Sequence, residues 1–167
     1  MTVSELKARL DTTREANETF RDLAALYSAT GDRMNHFLRT RNPHNAEYLS
    51  ATLDHCDATR RYGMFTVAMV YHAPETLDKA ICADLFGRAM ATVIHASHAE
   101  GIARMLYLEF KDGPQSMHPK MPLDMARTLH SALNIYLENM FEAYADMSKF
   151  ANLLSAEFGV CDHVIYI

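Results

Sequence analysis

A chain of 167 residues, 49% hydrophobic and 22% charged, has the profile of one soluble globular domain; at this length roughly 70% of the unfolded surface is buried on folding, so no disulfide or metal is required. Sixteen Lys and Arg against 21 Asp and Glu leave a net charge of −5, which argues against a surface built throughout for phosphate backbones. Cys56, Cys82 and Cys161 are odd in number and share no Cys-x-x-Cys spacing, so neither a zinc knuckle nor a disulfide framework is signalled and a reducing cytoplasm fits best.

The first segment opens on Thr2-x-x-Glu5, a capping-box pattern, with no apolar stretch of secretory type. Val3, Leu6, Leu10, Thr13, Asn17, Phe20, Ala24 and Tyr27 then recur at spacings of three and four, the period of a helix with one buried side. Gly31 is placed to end this helix and Asp32 to cap a short second one carrying Met34, Phe37 and Leu38. Arg41-Asn42-Pro43 breaks the chain, with Asn42 as N-cap and Pro43 in the first turn of a third helix that runs to about His72. Its last ten residues, Tyr62 to Tyr71, are apolar on all sides, so neighbours are expected to wrap them. The run is half the length of a membrane span.

A fourth helix is predicted from Pro74 to about Lys111, with Leu77, Ile81, Leu85, Ala89, Val93, Ala96, Ala103, Leu106 and Phe110 along one side. The alanines imply a close helix contact. Residues 112–122 hold three of the five prolines and form a long loop, about twice the usual ~4–6 residues. The fifth helix carries the clearest pattern: Ala126, His130, Leu133, Leu137, Met140, Tyr144, Met147, Ala151, Leu154 and Phe158 alternate at spacings of four and three, a heptad seam roughly 50 Å long. Leu129, Tyr136, Ala143 and Phe150 widen it to the broader face a bundle needs. Gly159 ends it, and 160–167 is a β-prone, apolar tail. The expected fold is all-α: a single antiparallel bundle of four long helices and one short one over residues 1–167, with a short extended C-terminal tail.

Long bundles can house dinuclear metal sites, which need inward carboxylates and Glu-x-x-His pairs. No Glu-x-x-His occurs, and the fifth-helix seam contains no acid. His95 and His98 share a helix face at i, i+3 with Asp84 and Arg88; they are the first candidates for a histidine-dependent metal or cofactor site, with Asp84 or His130 as helpers. No cofactor is expected on the leading reading. Neither a Gly-x-Ser-x-Gly elbow nor a Gly-rich phosphate cradle can be written with glycines at 31, 63, 87, 101, 113 and 159. Adjacent His55 and Cys56 point in different directions on a helix and form no dyad with each other.

Charge is uneven along the chain. Residues 31–61 sum to +1, with Arg33, Arg39, Arg41, Arg60 and Arg61, whereas 123–167 sum to −4. These arginines are the nucleic-acid candidates, and 32–60 has the outline of a helix-turn-helix, although its turn lacks the usual glycine and contains a proline. Apolar residues also stand where a lone bundle has no use for them: Ile135 and Leu153 at outward positions of the fifth helix, Met117 and Met121 in the loop, and Val164, Ile165 and Ile167 in the tail. Eleven methionines add adaptable surface. The leading expectation is therefore a non-catalytic helical interaction module, an adaptor, regulator or inhibitor, that binds another protein or itself as a homodimer. A metal-binding bundle and a nucleic-acid-contacting regulator are the alternatives.

Overall fold

The computed structural model describes residues 3–40, 45–72, 78–112 and 120–157, with residues 5–13, 17 and 150–157 described by backbone alone. Every described element is helical: α1 (Val3–Thr40), α2 (Ala46–Tyr71), α3 (Lys79–Phe110) and α4 (Leu123–Glu157). α1 packs on α2, α2 on α3 and α3 on α4, while α1 touches α4 sparingly and has no contact with α3 among the described residues.

Three boundaries differ from expectation. Gly31 does not stop the first helix, which continues through Asp32 to Thr40, so the short separate helix is the last part of α1. Tertiary packing outweighs the helix penalty of glycine here: a Cβ at residue 31 would lie 3.1 Å from Cε1 of His55, so the missing side chain lets α2 approach. The N-cap of α2 is Asn45 and not Asn42; its side-chain oxygen accepts from the Glu47 N–H at 2.7 Å. The N-cap of α3 is Asp78, accepting from the Ala80 N–H at 2.7 Å, and Pro74 lies outside the described residues, as do Asn42, Pro43, most of the 112–122 loop and the tail.

The α4 seam is buried as its heptads require: Ala126, Leu133, Leu137, Met140, Tyr144 and Met147 all lie in the core. It meets two apolar clusters. One gathers Met34, Tyr48, Leu49, Cys56 and the α3 alanines Ala96, Ala99 and Ala103 with Leu133, Leu137 and Met140. The other holds Phe20, Tyr62, Leu85, Ala89, Tyr144 and Met147. Thr52, Thr59 and Thr66 are buried on α2, and each donates its hydroxyl to the carbonyl four residues back, at 2.8, 2.7 and 3.0 Å; this removes the penalty of an unpaired buried hydroxyl. At Gly63 the α2 backbone lies so near α3 that a Cβ would sit 2.8 Å from Val93 Cγ2 and 3.2 Å from the Ala89 carbonyl oxygen.

The apolar end of α2 is not wrapped as expected. Tyr62, Gly63 and Thr66 are buried, but Met64 and Ala68 are exposed and Tyr71 is 84% exposed. Among the described residues no helix is long and apolar enough to cross a membrane.

Candidate functional site

Buried α2 positions follow a four-three series, Tyr48, Thr52, His55, Thr59, Tyr62 and Thr66, and this places a histidine in the middle of the molecule. The His55 Nδ1 lies 2.9 Å from the Thr30 hydroxyl of α1. The same hydroxyl also lies 2.8 Å from the Leu26 carbonyl and 3.1 Å from the Tyr27 carbonyl. The direction of the Thr30–His55 hydrogen bond follows the imidazole tautomer: Thr30 accepts when Nδ1 carries the proton and donates when Nε2 does. Tyr27 and Phe141 pack on the ring, with centroids at 4.6 and 5.7 Å. Burial holds the imidazole down at a pKa of about 4, neutral at physiological pH.

This ring forms part of the wall of an open cleft of about 340 Å³ between α1, α2 and α4, with Tyr27, Gly31, Met34, Asn35 and Phe141. Behind it Tyr27 stacks on Tyr144 at 3.5 Å with planes 5° apart, and Tyr144 meets Tyr62 edge-on at 5.1 Å. Burial raises all three phenols, Tyr27 to about 12. The Cys56 thiol beside His55 is pushed up to about 12, first by burial and then by Glu100, which makes it an inert core thiol. The cleft offers a neutral imidazole between aromatic walls. Sequence reading missed His55; its place in the four-three series was the available signal.

The metal candidates are held apart from a common centre. His95 is half-buried against α4 in a second cleft of about 210 Å³, with Arg88, Asn139, Glu142 and Asp146 around it. Its Nδ1 is buried without a hydrogen-bond partner. His98, one turn on, is exposed and meets the Tyr136 ring edge-on at 5.1 Å. Asp84 is engaged by Arg88 at 2.9 Å, and His130 lies beside Phe110 at the other end of α3, with ring centroids 6.3 Å apart. Among the described residues no group of three or more His, Cys, Asp or Glu is arranged to hold a metal ion.

Three of the five nucleic-acid candidates are neutralised by carboxylates. Arg33 pairs with Asp54 at 2.7 Å, Arg60 bridges Asp57 at 2.7 Å and Glu100 at 2.5 Å, and Arg61 also reaches Asp57 at 2.9 Å. Arg39 is exposed near the end of α1, and Arg41 lies outside the described residues.

Of the interaction candidates, Ile135 is 57% exposed on α4. Met121 is half-buried, and its N–H donates to the Glu109 carboxylate while Lys120 Nζ reaches the Glu109 carbonyl at 2.7 Å. Met117, Val164, Ile165 and Ile167 fall outside the described residues, and for Leu153 only the backbone is described.

A larger apolar surface, which sequence reading did not single out, runs along α3. Its solvent side carries Gly87, Ile94, His98, Gly101, Met105 and Leu108, with half-buried Ala91 completing an alternating four-three spacing. Ile94 and Met105 are each 47% exposed and Leu108 56%. The charged residues of the same stretch are paired at the flanks: Arg88 with Asp84 and with Asp146 of α4, Glu100 with Arg104 and with Arg60 of α2. The outer side of α3 is thus apolar between charged flanks, and α1 does not cover it. Gly87 and Gly101 sharpen the contrast with Gly31 and Gly63, because a Cβ at either would meet nothing within 4 Å. No protein-family model, curated protein or solved structure matches the chain.

Proposed function

We propose that this chain is a non-catalytic helical interaction module, an adaptor, regulator or inhibitor, that self-associates through the solvent side of α3. The helices are read as an antiparallel bundle, since contacts climbing α1 descend α2: Phe20 meets Tyr62, Thr30 meets His55 and Arg33 meets Asp54. The observation that carries the function is the uncharged outer side of α3, where Ile94, Met105 and Leu108 stand in solvent and the charges are drawn aside. A solvent-facing side of a bundle helix is ordinarily charged, and a contiguous apolar one marks a binding surface. Ile135 on the neighbouring α4 adds to the exposed apolar area. Cys56 and Cys82, both unpaired thiols, suit a reducing cytoplasm.

Size-exclusion chromatography with light scattering tests the reading. A dimer or larger is expected at micromolar concentration, and Ile94→Lys with Leu108→Lys should return it to 18.9 kDa with unchanged helical circular dichroism. Ile135→Lys should weaken association less. A wild-type protein that stays monomeric at every accessible concentration overturns the self-association reading.

A further inference from the structure

We infer that the cleft between α1, α2 and α4 is a binding site for a small ammonium ion, which the Asp32 carboxylate holds against the Tyr27 and Phe141 rings. No residue of α3 lines this cleft among the described residues, so the site is separate from the outer side of α3 and its occupancy does not depend on self-association. At about 340 Å³ it stands at the small end of ligand clefts, ~300–1,000 Å³, which suits a small molecule better than a partner helix. Its lining combines apolar walls with a few polar groups, Tyr27, Met34 and Phe141 with Ser28, Asp32 and Asn35. The aromatic wall is held in place without a ligand. Tyr144 stacks behind Tyr27 with ring centroids 3.5 Å apart, and the His55 ring at the floor fills the space that a side chain at Gly31 would need.

Charge selects the class of ligand. Among the described residues Asp32 is the only charged group in the lining, and His55 is neutral at physiological pH because burial disfavours its protonated form. Elsewhere in the bundle, acids are held by basic side chains: Asp54 by Arg33, Glu100 by Arg60 and Arg104, and Asp146 by Arg88 and Lys149. Asp32 has no such partner among the described residues, and its neighbour Arg33 is committed to Asp54. The cleft beside His95 makes the contrast, since there Arg88 supplies a positive charge next to Glu142 and Asp146. A cation in the Asp32 cleft therefore meets an unpaired carboxylate and aromatic rings, whose electron-rich faces attract positive charge. A carboxylate or phosphate would find no basic side chain in the same lining.

Titration of the full-length chain at low ionic strength tests this, with benzylammonium and benzyltrimethylammonium as cationic probes and benzyl alcohol and phenylacetate as neutral and anionic counterparts. Proton NMR of the His55 and Phe141 rings reads binding at this cleft, and calorimetry reads the affinity. The cations should bind one-to-one with saturable shifts of those rings, in the millimolar range or tighter. Benzyl alcohol should bind more weakly, and phenylacetate should not saturate. Asp32 is exposed, so Asp32→Asn keeps the fold and the side chain's size; it should weaken the cations about fivefold and leave benzyl alcohol unchanged. Absence of saturable ring shifts with both cations overturns the site. Benzyl alcohol binding as tightly as the cations, or Asp32→Asn leaving their affinity unchanged, overturns the ammonium assignment.

Discussion

Lowering the pH from 7 to 5 is expected to destabilise this protein by about 2 kcal/mol through His55 alone, taking an unfolded pKa of 6.5 and a folded value of about 4. His55 is 1% exposed, lies 2.9 Å from the Thr30 hydroxyl and packs between Tyr27 and Phe141, so burial penalises its protonated form. Between pH 6.5 and 4 the unfolded chain therefore binds a proton that the folded chain refuses. Stability is fully present above 6.5, falls as pH drops through the window with a slope approaching ~1.4 kcal/mol per pH unit, and levels out below 4. Urea unfolding of the wild type and His55→Gln at pH 7, 6 and 5, at one protein concentration, is the direct assay. Glutamine can donate to or accept from Thr30 but does not titrate, and the exposed His36, His72 and His98 are common to both chains. The variant is expected to be weaker at pH 7 and nearly flat to pH 5, so the two curves converge. Parallel curves would falsify the neutral, buried assignment of His55.

Three further outcomes follow from single side chains. The Tyr62 hydroxyl is fully buried with no hydrogen-bond partner in the structure, so Tyr62→Phe should raise the urea midpoint, by about 1 kcal/mol in stability, by deleting an unsatisfied group; a loss would show that the hydroxyl has a partner. Gly63→Ala drives a methyl to 2.8 Å from Val93 Cγ2 and 3.2 Å from the Ala89 carbonyl, an overpacking expected to cost roughly 1–3 kcal/mol by denaturation. Gly87→Ala and Gly101→Ala meet nothing within the chain; in the Ile94→Lys, Leu108→Lys monomer each should add ~0.5–1 kcal/mol of stability by helix propensity, while in the wild type each should raise the dimer dissociation constant. Equal gains in both backgrounds would mean that the glycines are not contact positions.

How far the sequence reached depends on the kind of question. The α4 seam from Ala126 to Met147 was legible because heptad spacing alone fixes which residues share a face, and all of them but the half-buried His130 are in the core. The paired arginines were harder to read: Arg60 draws one acid from its own helix and another from α3, and the second comes from 40 residues along the chain. Gly31 misled for a physical reason, since local rules treat a glycine as a stop, whereas the His55 ring uses its empty side chain as a seat.

The chain by itself determined that the protein is helical, where most breaks fall, and which positions line each helix, because these follow from local propensity and a 3.6-residue period. Tertiary structure alone decided which faces meet. It seated α1 on α2 and not on α3, closed the cleft around His55 from three helices, and left the Gly87–Leu108 stripe of α3 in solvent. Periodicity records that a face is apolar; only the packing of the other helices tells whether that face has already been used.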